Sequence, residues 1–110
     1  MPIFALLVDY QGDPPTDELL DAHRDWLLPK FEQGLFILSG VLDPVPGRPA
    51  SALAFLQADS LADAEALVDD EPFFRAGACV HRVVPFTPRV RATEIDKFFG
   101  SDTKAVQRTT

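Results

Sequence analysis

Residues 35–57 have the sequence LFILSGVLDPVPGRPASALAFLQ. Two strand-like runs lie in this stretch, and one loop joins them. The first run, residues 35–39, is aliphatic and aromatic; in the second, residues 51–57, apolar side chains alternate with a period of two, which is typical of a β-strand. The loop contains Pro44, Pro46 and Pro49, which predict a stiff, extended connection. We expect a β-hairpin whose first strand stops at a turn formed by Gly40.

A helical pattern flanks this hairpin on each side. The apolar stripe of the first pattern, residues 16–33, consists of Leu20, His23, Leu27 and Phe31. The second helix is predicted over residues 61–69, because Ser60 followed three positions later by an acidic residue is typical of a helix start. Pro72 must interrupt this helix because proline lacks a backbone N–H.

Two further strands are predicted at the outside of these helices, over residues 3–10 and 79–86. The first has no polar alternation until Asp9, and we expect it to be buried on both faces. The order is therefore βαββαβ, a ferredoxin-like α+β fold with a four-stranded antiparallel sheet. Two helices cover only one face of such a sheet, so we expect a second copy of the chain to cover the other face in a homodimer.

The length of 110 residues predicts a single domain, which we place at residues 1–99. An apolar cluster near its end, Ile95, Phe98 and Phe99, is expected to dock on the partner subunit or on the sheet edge. The polar residues 100–110 are expected to be a disordered tail.

Composition excludes several classes of function. Ten basic and seventeen acidic residues give a formal charge of −7, which repels a phosphate backbone and makes nucleic acid an unexpected partner. No apolar stretch approaches the roughly 20 residues that cross a membrane, and the N-terminus lacks the basic region of a secretory signal. Cys79 is the sole cysteine, so no internal disulfide forms. These features predict a cytoplasmic protein that binds neither nucleic acid nor membrane.

Several motifs resemble those of the YciI-like (YCII-related) family over about residues 2–88. They are the helical segment HRDWL at 23–27, the segment GLFILSG at 34–40, the segment EPFFRAG at 71–77, and FTP at 86–88. The resemblance implies a dimeric α+β barrel and a site made of a histidine and a carboxylate, which fall here on His23 and Glu71. The family usually has Asp before this proline, so Asp70 is the alternative carboxylate, and its Ser-Gly-Pro is here Ser39-Gly40-Val41.

These residues suggest a chemistry. An imidazole titrates near neutral pH, and a carboxylate bonded to its other nitrogen fixes its tautomer, so His23 with Glu71 or Asp70 is predicted to be a general base with its orienting group. Ser39 and the backbone at Gly40 are predicted to position the substrate and to steady an oxyanion. Gly40 has the alternative interpretation of a simple turn residue.

Arg82 is a candidate anchor for a carboxylate, although it alternates with His81 on one strand, so at most one of the two points into a cavity. Trp26, Phe73 and Phe74 are more typical of core or dimer contacts than of a platform for an aromatic substrate. No metal is expected, because the histidines lack the ligand spacing of a zinc site.

The function predicted from the sequence is a lyase or isomerase that needs no cofactor and acts on a small cyclic or phenolic acid. Its ligand is then a small molecule, either neutral or anionic. The alternative is a non-catalytic, dimeric module that binds a metabolite. A third interpretation makes His23 a determinant of the dimer, since a lone histidine on an apolar stripe is often a packed core or subunit-contact residue.

Overall fold

A computed structural model of the chain describes residues 1–109. Four strands and three helices follow one another along the chain, and their order confirms the βαββαβ prediction. They are β1 Ile3–Tyr10, α1 Asp17–Glu32, β2 Phe36–Leu42, β3 Ser51–Gln57, α2 Leu61–Asp69, the one-turn helix α3 Pro72–Arg75 and β4 Cys79–Phe86. A 3₁₀ turn, Ile95–Phe98, lies beyond the last strand.

The strands form one antiparallel sheet in the order β2-β3-β1-β4. The strands that are first and third in sequence lie at its centre, and the register places Leu6 of β1 opposite Ala54 of β3 and Val83 of β4. This is the ferredoxin-like arrangement. It brings the C-terminal end of β1 beside the start of β4, where Tyr10 lies opposite Cys79.

The helices pack on one face of the sheet and bury it. The core consists of sheet residues, α2 residues and Ala58 between β3 and α2, with α1 packed against it through Trp26, Leu27 and Phe31. Its buried members are Phe4, Leu6, Phe36, Ala54, Leu56, Ala58, Ala64 and Val68. The prediction that β1 is buried on both faces was wrong for the single chain. Phe4 and Leu6 are buried, whereas Ala5 and Leu7, on the face without helices, are only half-buried.

The other face of the sheet, which we call the open face, is mostly apolar, with Asp9 and Arg82 towards one end. Phe55 of β3 and Phe86 of β4 meet on it with ring centroids 5.0 Å apart. Val80 and Val84 of β4 lie on the same face and are 50% and 37% exposed. Aliphatic and aromatic surface of this extent is costly to leave in water.

The hairpin differs from the sequence prediction in the position of its turn. Strand β2 continues past Gly40 to Leu42, and Gly40 pairs with Leu53 of β3 inside the ladder. The predicted turn at Gly40 was wrong, because the apolar residues Val41 and Leu42 extend the pairing. The chain reverses instead at Val45–Arg48, whose ends form an isolated bridge, and Gly47 there has a φ of 85°.

The segment after β4 runs back to α1. The backbone N–H of Thr109 donates a hydrogen bond of 2.8 Å to the carbonyl of Glu32, the last residue of α1. The apolar side chains Ile95, Phe98 and Phe99 are 48%, 76% and 43% exposed in the single chain, so their docking on a partner stays a prediction. Of the segment 100–110 expected to be disordered, Thr110 lies outside the described residues.

Candidate active site

Glu71 is the centre of the candidate site, and the local sequence explains its position. Pro72 ends α2 and starts α3, and Glu71 caps α3. Its Oε2 accepts the N–H of Phe73 at 2.9 Å and its Oε1 accepts the N–H of Phe74 at 3.1 Å. The residue is 8% exposed. A capping carboxylate is therefore held rigidly inside the protein.

His23 completes the pair from α1. Its Nδ1 lies 2.8 Å from Oε2 of Glu71, across 48 residues of sequence. Its ring stacks on Phe73, with centroids 4.5 Å apart and an angle of 21° between the planes. Since Nδ1 donates to the carboxylate, Nε2 is the ring nitrogen left as a base.

The environment sets the protonation state of Glu71. Burial by itself raises the pKa of its carboxyl, but the hydrogen bonds from His23, Phe73 and Phe74, together with the charge of His23, outweigh burial and hold the pKa below its ordinary value. Glu71 is consequently an anion at neutral pH. An anion at this position stabilises the imidazolium that forms when His23 takes a proton.

A cavity of about 270 Å³ opens beside this pair. Its floor is the helix-covered face of the sheet, from Leu6, Val8, Ala52 and Ala54, and its walls include Trp26 and Leu27 of α1 and Val68 of α2. Most of these side chains are apolar. An engineered cavity of about 150 Å³ admits benzene, so this one has room for a single substituted ring.

Polar groups line the remaining walls and the rim. Tyr10 and Ser39 line the cavity and are both exposed. Burial of part of the ring, and then the charges of Cys79 and Glu71, raise the pKa of the Tyr10 hydroxyl, so it stays protonated and able to donate. Tyr10 also packs edge-on against Phe73, which links the rim to the His23 stack.

Comparison with known proteins places the chain in a family. The model of the YCII-related domain matches residues 2–87. The chain belongs to the YCII-related family. Among solved structures, this YCII-related protein is similar to the 5-chloro-2-hydroxyhydroquinone dehydrochlorinase of Burkholderia phenoliruptrix AC1100 in complex with 2,5-dihydroxybenzoquinone. The TM-score is 0.52 at 18% identity, over 76% of this chain and 93% of that one. A search of curated proteins finds no significant match.

The YCII-related domain brings together some of the predicted site residues and separates others. His23, Glu71, Ser39 and Gly40 all line the cavity. Asp70, the alternative carboxylate, instead forms an exposed ion pair with Arg75 at 2.9 Å. Glu71, not Asp70, is therefore the carboxylate that contacts His23.

Arg82 lies away from the pair. It occupies the open face of β4, opposite Leu7 of β1, and lines a separate depression there with Arg48 and Asp9. Its guanidinium therefore does not share the cavity of His23. Alternation along β4 explains the result, since His81 takes the helix-covered face and Arg82 the other.

The sequence did not identify His81 as a site residue. In the YCII-related domain it lines the cavity of His23, and its Nε2 is 2.9 Å from Oδ1 of Asp69. Alternation along the strand does place His81 on the same face as Cys79 and Val83, which lies under the helices, and this could have identified it. The partner, Asp69, could not be inferred without knowing where α2 ends.

Two kinds of feature are absent from residues 1–109. No three His, Cys, Asp or Glu side chains lie close enough together there to hold a metal ion. In the same part of the chain, no helix has both the length and the apolar character needed to cross a bilayer.

Proposed function

We propose that this YCII-related protein is a lyase or isomerase in which His23 and Glu71 act as a general acid–base pair on a small cyclic or phenolic acid. One observation carries the proposal: the 2.8 Å contact between His23 Nδ1 and Glu71 Oε2 lies at the wall of an apolar cavity with room for one ring. A carboxylate that accepts from one imidazole nitrogen fixes the tautomer, which leaves the other nitrogen as the proton acceptor.

In the proposed reaction, Nε2 of His23 takes the proton of a ring hydroxyl. The oxygen–hydrogen bond breaks, a nitrogen–hydrogen bond forms, and the electron pair left on oxygen forms a carbonyl as a ring double bond shifts. Either a ring carbon takes up this proton from the imidazolium of His23, which is isomerisation, or a substituent on a saturated carbon next to the shifting double bond leaves with its bonding pair and takes the proton from His23, which is elimination. Both outcomes return His23 to its starting state.

In this proposal, hydrogen-bond donors at the cavity rim stabilise the negative charge that develops on the substrate oxygen. The hydroxyl groups of Ser39 and Tyr10 donate to the substrate oxygen, and the backbone around Gly40 leaves space for it because glycine carries no side chain.

The structural neighbour lends support of a general kind. It is a dehydrochlorinase that acts on a chlorinated hydroxyhydroquinone, which is a small phenolic ring. An elimination from a hydroxylated ring is one of the two outcomes described above. The proposed enzyme uses no metal and no organic cofactor, because proton transfer by imidazole requires neither.

The proposal also concerns assembly and location. A second copy of the chain covers the open face, because that face is apolar and the helices lie on the other side. The formal charge of −7 disfavours nucleic acid and anionic membranes as partners, and a single cysteine suits the reducing cytoplasm.

A ligand screen tests the function. Wild type, His23→Gln and the control Arg24→Gln, an exposed neighbour on α1, are compared by thermal shift against small phenolic acids, carboxylic acids and lactones. We expect some compound to stabilise wild type and Arg24→Gln but not His23→Gln, and to be turned over by the first two proteins. Stabilisation without turnover would favour the alternative, a metabolite-binding module. If no compound distinguishes His23→Gln from wild type, the enzyme and the metabolite-binding module are both contradicted.

A further inference from the structure

The segment Asp69–Phe74 supplies one carboxylate and one phenylalanine ring to each of two histidines. Phe73 stacks on His23 and Phe74 stacks on His81, with ring centroids 4.5 Å and 4.0 Å apart. Glu71 bonds the first imidazole and Asp69 bonds the second, at 2.8 Å and 2.9 Å. Each imidazole therefore has one nitrogen on a carboxylate and one flat side on a phenylalanine.

His81 is enclosed although its carboxylate is not. The His81 side chain is 8% exposed, whereas Asp69 is 56% exposed. Nε2 of His81 is engaged by Asp69, and Nδ1 hydrogen-bonds no protein group among residues 1–109. This nitrogen is not one of the buried side-chain atoms without a partner, so it keeps contact with solvent and is open to a ligand.

Both histidines line the same cavity, from different walls: His23 from α1 and His81 from β4. A cavity of about 270 Å³ holds one small ring. A ring in contact with His23 through one oxygen therefore presents its other substituents to the remaining walls, which include His81.

We propose that His81, oriented by Asp69, is a second acid–base residue of this cavity, and that the substrate is a ring carrying at least two oxygen substituents, one for each histidine. This inference rests on the proposed function and names its substrate class. His23 takes the proton of one hydroxyl. His81 bonds the second oxygen through Nδ1 and exchanges its proton, so that one oxygen–hydrogen bond breaks as one nitrogen–hydrogen bond forms and the electron pair stays on oxygen.

The test compares paired ligands. The three dihydroxybenzene isomers are each measured against the methylphenol in which one hydroxyl is replaced by methyl, by calorimetric titration of the full chain. For at least one isomer we expect wild type to bind the dihydroxybenzene about tenfold more tightly than the methylphenol, because the second hydroxyl can hydrogen-bond Nδ1 and a methyl group cannot, and one such bond changes affinity by this order.

The variants assign that preference to His81. His81→Phe keeps a ring against Phe74 and removes both nitrogens. We expect the ratio of the affinities for the dihydroxybenzene and the methylphenol to fall to about one. Asp69→Asn leaves the exposed end of α2 intact and gives a partial loss, which keeps the test valid if His81→Phe fails to fold. Glu65→Gln, four residues earlier on α2 and also exposed, is the matched control and retains the full preference.

Two results would overturn the inference. If ligands bind wild type but not His23→Gln, titrated in the same way, while the preference is the same in wild type, His81→Phe and Asp69→Asn, then the His81–Asp69 contact only ties β4 to α2, and the proposed function survives. If none of the six compounds binds, or if binding ignores both histidines, the proposed function fails as well.

Discussion

His23 and Glu71 are joined by a hydrogen bond of 2.8 Å, and the same carboxylate oxygen accepts the N–H of Phe73 at 2.9 Å. One carboxylate therefore caps α3 and orients the imidazole of α1. Because both tasks fall on one side chain, its loss affects stability and activity together.

Glu71→Gln tests this double role. A glutamine retains an acceptor for the backbone but replaces a charged hydrogen bond with a neutral one, so we expect a loss of about 1–3 kcal/mol in the free energy of unfolding. Urea denaturation measures it. Asp70→Asn is the control, since its exposed pair with Arg75 contributes at most about 1 kcal/mol. Equal effects of the two substitutions would contradict the role of Glu71.

The same carboxylate predicts a pH dependence of stability. Its pKa is lower in the folded chain than its ordinary value of 4.5, so the folded state holds the anion more strongly than the unfolded state does. The contribution is fully present above pH 4.5 and is lost as pH falls through the lowered pKa. The difference in unfolding free energy between wild type and Glu71→Gln should therefore shrink on acidification. If this difference in unfolding free energy stays constant from pH 7 to pH 3, the carboxylate of Glu71 does not contribute to stability through a lowered pKa.

Cys79 should resist thiol reagents in the folded protein. Burial, and then the charge of Glu71, raise the pKa of its thiol to about 11, and the residue is 2% exposed. We expect negligible labelling by a disulfide reagent at pH 8 and rapid labelling in urea. The raised pKa also predicts that stability is lost as pH rises from the ordinary value of 9.0 towards 11. Equally fast labelling of folded and unfolded chains would refute this.

The open face predicts an association that one charge disrupts. Val84→Asp places a carboxylate among apolar side chains on β4, and we expect it to shift the sedimentation coefficient from dimer to monomer. Val90→Asp is the matched control, because Val90 is 94% exposed and lies outside the sheet. A wild-type protein that sediments as a monomer would contradict the proposed homodimer.

The element order could be predicted from the sequence because each element carries a strong local pattern, such as the stripe of α1 or the alternation of β3. The turn could not, since Gly40 permits a turn and a strand equally and pairing with Leu53 decides between them. Glu71 was favoured by the family motif, but its capping of α3 depends on Pro72 starting a new helix. His81 was missed because its partner, Asp69, is near it only after α2 packs on β4.

If His23 moves protons to and from a bound hydroxylated ring, that ring should exchange its hydrogens with solvent. The most direct measurement is exchange of ring hydrogens for deuterium in heavy water, followed by proton NMR, for a panel of dihydroxybenzenes and hydroxybenzoic acids. We predict exchange above the buffer rate with wild type and Arg24→Gln, and a loss of about a hundredfold or more with His23→Gln. The same exchange rate with His23→Gln as with wild type, or no exchange above buffer for any compound that binds, would contradict this role of His23.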